Sequence, residues 1–176
     1  MTNLEKHLRA LELDKILGQL AGCANCEDSR AMALSLQPTF DYLTAVRQMQ
    51  KTSDAFMLSA RFGTPSIYGL KNVTQQLRRG QKGSALTLRD LLDIANVLRT
   101  IRSLSDWRRA CGDDQETSLD MLFESLQPNQ YLERRIEAAV LSEDELADNA
   151  SPALADLRRK IRSAGVRVRE QLDKMI

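Results

Sequence analysis

Apolar residues recur along this chain at helical intervals. Over 4–22, Leu8, Leu11, Ile16, Leu17 and Leu20 define the face of a first helix. A second spans 26–36 and stops at Gln37-Pro38, because proline cannot extend it. Asp41 caps a third, in which Leu43, Val46, Gln50, Ser53, Met57 and Ala60 fall at heptad spacing, with polar breaks at Gln50 and Ser53. A loop at 61–65 leads to a short helix over 70–79, closed by Gly80-Gln81-Lys82-Gly83-Ser84. Thr87 and Asp90 approximate a capping box. Leu91, Ala95, Leu98, Ile101 and Leu104 then give a face to a helix reaching about residue 110. A polar loop at 112–115 precedes two shorter helical pieces, 118–126 and 129–138. Near 139–149 there is room for one small β-hairpin, although β-propensity is weak there.

The last stretch has the clearest pattern. Ser151 is placed to cap and Pro152 to occupy the first helical position, where a missing N–H costs nothing. Leu154, Leu157, Ile161, Ala164, Val168, Leu172 and Met175 then form one stripe, with Gly165 the only breaker residue. Arg158, Arg162 and Arg169 border the stripe on one side; Lys160, Arg167 and Lys174 border it on the other. Such a seam looks like the start of a long helix whose continuation and packing partner lie elsewhere. The expected architecture is all-α: a helical core over 1–150 and a protruding lever or coiled-coil-like helix over 151–176.

Composition sharpens this picture. At 43% hydrophobic and 28% charged over 176 residues, the chain can bury one core. Aromatics make up only 5%, and Leu, Ala, Arg and Gln are plentiful, which favours helix. A net charge of +1 gives no global attraction to nucleic acid, so any such attraction is local. Residues 154–174 supply it, with seven Lys/Arg against three carboxylates. Three cysteines, the absence of a signal-peptide pattern in 1–5 and the lack of a long apolar run fit a cytoplasmic protein with no membrane association.

Other motifs are weaker. Cys23-Ala24-Asn25-Cys26 has the spacing of a redox dithiol or half a zinc site, but no βαβ setting and no second ligand pair. Small packing residues at a helix junction are the simpler assignment, and a redox role stays open. His7 is the only histidine and has no partnered nucleophile or carboxylate. Residues 80–84 differ from a phosphate loop. Glu143-Asp144-Glu145 with Asp148 reads as a solvated acidic turn that also sets a negative end before the last helix. The basic flanks fit three roles: solvating an exposed helix, bordering a coiled-coil seam, or meeting phosphates.

Four segments carry a family resemblance. Leu11-Glu12-Leu13-Asp14-Lys15-Ile16-Leu17 resembles the opening of the second MutS subfamily (MutS-II), whose full-length members end in a small Smr nuclease domain. Leu36-Gln37-Pro38-Thr39 resembles its L-x-P after the second helix. Lys82-Gly83-Ser84-Ala85-Leu86-Thr87 resembles its K-G-G-x-L turn. Ala150-Ser151-Pro152-Ala153-Leu154, followed by Arg158, resembles its A-S-P-E-L helix start. The segments follow the family order over nearly the whole chain. One departure is Glu143-Asp144-Glu145-Leu146-Ala147-Asp148, which lacks the family's glycine at the hairpin.

The resemblance implies a homodimeric ATPase and endonuclease. Its targets would be branched DNA, with suppression of recombination, or collided ribosomes and their RNA. It implies that this chain is the N-terminal core plus the first stretch of lever. No Walker or nuclease residue has a counterpart here, so no catalytic, cofactor-binding or metal residue is assigned. ATP and Mg²⁺ are expected in the ATPase domain of the parent. The alternative is a freestanding helical adaptor that pairs its seam with a partner helix.

Overall fold

A computed structural model describes residues 3–112 and 116–175, so the loop expected at 112–115 lies largely outside the described residues. Among the described residues the chain is all-α, with nine helices and no strand. They are α1 (Asn3–Ala10), α2 (Leu13–Gly22), α3 (Glu27–Leu34), α4 (Tyr42–Phe62), α5 (Thr74–Gln81), α6 (Leu88–Ala110), α7 (Asp120–Glu124), α8 (Gln130–Ala139) and α9 (Pro152–Asp173).

The caps act as their side-chain chemistry dictates. Asp41 accepts the Thr44 amide at 2.8 Å. Thr87 and Asp90 form a reciprocal box, Asp90 N to Thr87 Oγ1 at 3.1 Å and Thr87 N to Asp90 Oδ2 at 3.0 Å. Asn129 accepts the Leu132 amide and starts α8. Each side chain satisfies a backbone donor that the first helical turn leaves without a partner.

Two expected helices are corrected. The first breaks in two at Leu11 and Glu12, where Glu12 takes a left-handed φ of 54°. The half-buried residues Leu8, Leu13 and Leu17 explain the break. A five-residue step from Leu8 to Leu13 cannot stay on one face of a continuous helix. The helix expected over 70–79 begins instead at Thr74, whose amide is taken by Asn72 Oδ1 at 3.0 Å. Residues before it form a strap held by Asn96 Nδ2 to Gly69 O and by the Lys71–Asp93 ion pair. That strap drops Val73 into the core.

The core lies between α6 and α8. Ile94 and Ala95 of α6 meet Ile136 of α8, Val73 from the strap and Val140. Glu133 sits beside them, only 2% exposed, and both its oxygens accept from Arg102 of α6, at 2.8 and 2.9 Å. Arg99–Glu137 adds a second, more exposed pair along the same helices. The N-terminal α2–α3 hairpin is tied to the strap by Asn72 Nδ2 to Asp28 at 3.2 Å. The long α4 is held at two points. Its buried Asp54 accepts from the Ser118 amide and hydroxyl at 2.8 and 2.6 Å, and Trp107 Nε1 donates to Gly63 O.

At 139–149 the polypeptide turns back on itself. Leu141 N donates to Glu145 O and Ala147 N to Ala139 O, both at 2.9 Å, around an isolated antiparallel bridge between Val140 and Leu146. This is the hairpin in its smallest form. Among the described residues Glu12 is the only non-glycine with positive φ. The turn at 142–145 therefore closes without the left-handed backbone that would call for glycine. Arg89 of α6 ties the turn down through Glu143 at 2.8 Å.

Candidate nucleic-acid interface

The basic, apolar-striped helix α9 grows from that turn. Ser151 Oγ accepts the Leu154 amide at 3.2 Å, and Pro152 opens the first turn. The 22 residues of α9 make a rod of about 33 Å. Gly165 does not interrupt it; the space a Cβ would take there is empty. Only the base of α9 is sheltered, with Leu154 and Ala155 half-buried. Beyond that the stripe is open: Leu157, Val168, Leu172 and Met175 are exposed, and Ile161 is 70% exposed. Ala164 is exposed as well. Among the described residues no helix packs along α9.

The six basic candidates fall into two groups. Arg158 and Arg162 are drawn onto Asp148, which lies in the turn before the helix. Arg158 Nη1 donates to Asp148 Oδ1 and, at 3.0 Å, to Leu146 O. Arg162 Nη1 donates to Asp148 Oδ2 at 2.8 Å. One carboxylate thus spans two guanidiniums a helical turn apart. Hydrogen bonds from Arg158 and then Arg162 hold the Asp148 carboxyl below its usual range. Lys160 is paired with Asp156 at 3.2 Å, as is Arg159. Arg167, Arg169 and Lys174 are exposed and have no ion pair with the described residues. Lys160, Ser163, Ala164 and Arg167 line a shallow open groove on the helix.

Reading the acidic segment as a solvated turn missed the role of Asp148. The signal was present as an Asp three residues before the Ser151 cap and a pair of arginines one turn apart inside the helix. The heptad stripe expected on α4 is likewise uncovered, with Leu43, Val46 and Met57 exposed, while Leu58, one residue after Met57, is 1% exposed.

The other motifs take structural places. Cys26 is the N-cap residue of α3, and its thiol and backbone bond to Ser29. Cys23 and Cys26 are free thiols, and burial pushes the Cys111 thiol up. At 80–84 the amides of Lys82, Gly83 and Ser84 all donate back to carbonyls of α5, so none is left to cradle a phosphate. No helix among the described residues is long and apolar enough to cross a membrane.

These features define a helical module that presents one long, basic-bordered, uncovered helix. No family model matches the chain. Curated relatives match nearly all of it. The chain is 36% identical over 173 residues to an endonuclease MutS2 of Ruminiclostridium cellulolyticum. It is 37% identical over 176 residues to that of Acetivibrio thermocellus, and 34% identical over 174 residues to that of Agathobacter rectalis. Each match takes in 98% of this chain and 22% of the relative. The chain belongs to the MutS2 family, and it spans about a fifth of the length of these relatives.

Proposed function

We propose that this chain is the helical core of a MutS2-type protein, residues 1–150, joined to the first stretch of a lever helix, 151–176. The basic borders of α9 meet the nucleic-acid backbone. One observation carries this reading: in a chain of the MutS2 family, α9 is a capped helix whose apolar edge, from Leu157 on, is covered by none of the described residues. A rigid rod couples two distant sites when both bias its position. ATP binding and hydrolysis elsewhere in a homodimeric parent would move the rod, and the α6–α8 body would transmit that motion. ATP and Mg²⁺ belong to that other part, as does nuclease activity; this chain acts as scaffold, lever and phosphate contact. Branched DNA, or a collided ribosome with its RNA, is the target, in the cytoplasm. Nothing in α9 reads base edges, so the contact follows phosphates and shape.

The test is fluorescence anisotropy of a labelled four-way DNA junction across a salt series. The reading expects binding that weakens with salt, ignores sequence, and weakens further in Arg158→Ala/Arg162→Ala/Arg169→Ala. Unchanged binding in the triple variant rejects this contact surface, and ATP hydrolysis above a protein-free blank rejects the scaffold role. Salt-insensitive capture of a partner helix along the seam would favour the adaptor instead.

A further inference from the structure

Two guanidiniums of α9, one helical turn apart, are already occupied by a carboxylate of the same chain. Asp148 offers Oδ1 to Arg158 and Oδ2 to Arg162. A phosphate diester offers the same two-oxygen geometry to paired guanidiniums. The side chains of Asp148 and Arg162 are exposed, at 53% and 67%, so a polyanion in solution can reach them. Arg158 keeps a second acceptor, the Leu146 carbonyl, which holds it in place if the carboxylate leaves. The carboxylate lies in the turn next to the body, and the arginines lie on α9. The contact therefore also adds to the ties between the first turns of α9 and the turn before it.

We propose that Asp148 is a built-in competitor for nucleic-acid phosphate. It masks the Arg158–Arg162 pair, and a phosphate that takes the pair displaces the Asp148 carboxylate while the Leu146 carbonyl keeps Arg158 at the turn. Binding of the backbone and release of Asp148 are then one event. This rests on the nucleic-acid reading above, and it adds a direction that reading lacks: removing an acidic residue of the clasp strengthens binding, although the same substitution removes two ion pairs from the fold.

The experiment compares six forms of the protein on a labelled DNA duplex: wild type, Asp148→Asn, Asp144→Asn, Arg162→Gln, Arg158→Gln/Arg162→Gln, and that double variant carrying Asp148→Asn. Asp144 lies in the same acidic turn and makes the same change in net charge, so its variant measures the general electrostatic gain. The expected result is binding by Asp148→Asn about 10-fold tighter than wild type, since two exposed ion pairs no longer have to be broken. The gain exceeds that of Asp144→Asn and disappears in the Arg158→Gln/Arg162→Gln background. Equal or weaker binding by Asp148→Asn than by Asp144→Asn overturns the proposal, whether or not the wild type binds. A wild type that binds no nucleic acid beside an Asp148→Asn form that does also supports masking. Failure of both overturns the nucleic-acid reading along with it. Arg162→Gln reads the clasp from its other arm and does not depend on the folding of Asp148→Asn. It weakens binding if phosphate takes this guanidinium, and an unchanged affinity overturns the proposal.

Discussion

Replacing Glu133 by glutamine removes one charge from the α6–α8 seam and keeps its volume. The native carboxylate is 2% exposed and accepts two hydrogen bonds from Arg102, whose own side chain is 31% exposed. Breaking a fully buried pair costs about 3–5 kcal/mol. Water reaches the guanidinium here, which brings the expected loss for Glu133→Gln down to about 2 kcal/mol. At 2–4 °C per kcal/mol for a chain of this size, melting falls by about 4–8 °C. The assay is thermal and urea unfolding followed by far-ultraviolet circular dichroism, repeated as pH falls. Hydrogen bonding from Arg102, first among the causes, holds the Glu133 carboxyl below its usual range. Its folded pKa is thus below its unfolded one. The stability it contributes is full above the unfolded value and is lost as pH falls through the folded one. Glu133→Gln should therefore show a shallower acid destabilisation than the wild type. A variant as stable as wild type at neutral pH, with an unchanged acid slope, would refute this account of the seam.

Two further substitutions test separate parts of the fold. Leu58→Ala empties the most buried side chain of α4, and it should cost about 3 kcal/mol in urea unfolding. A loss within about 0.5 kcal/mol would mean that Leu58 anchors nothing. Gly165→Ala adds a methyl group in open space on α9, and it should stabilise that helix by about 0.5–1 kcal/mol, read as slower amide exchange over 160–170. Faster exchange would show that the glycine is needed for a bend.

The sequence was most legible where one residue dictates one bond. Asp41, Thr87 with Asp90, and Ser151 with Pro152 start their helices as read, because a cap needs only a short acceptor next to free amides. The stripe of α9 was legible for a similar reason: period and charge are local properties. Long-range pairing was not legible. The break at Glu12 goes with the half-burial of Leu8, Leu13 and Leu17, and the strap before α5 depends on Asn96, Asp93 and Asp28 from other helices. Nothing local in the sequence marks Glu133 as buried, since its partner Arg102 is 31 residues away. The departure from the family's hairpin glycine is absorbed locally, because residues 142–145 close the turn without positive φ.

The lever assignment requires that the edge of α9 from Leu157 to Met175 packs on something outside this chain. Hydrogen exchange over 157–172 tests it, compared between this chain alone and a full-length MutS2 protein containing it. Rapid exchange is expected in the chain alone, as few contacts hold an uncovered helix, with protection of these amides in the full-length protein. Equal exchange in both would mean that the edge faces water in the whole molecule, and the lever assignment would fall.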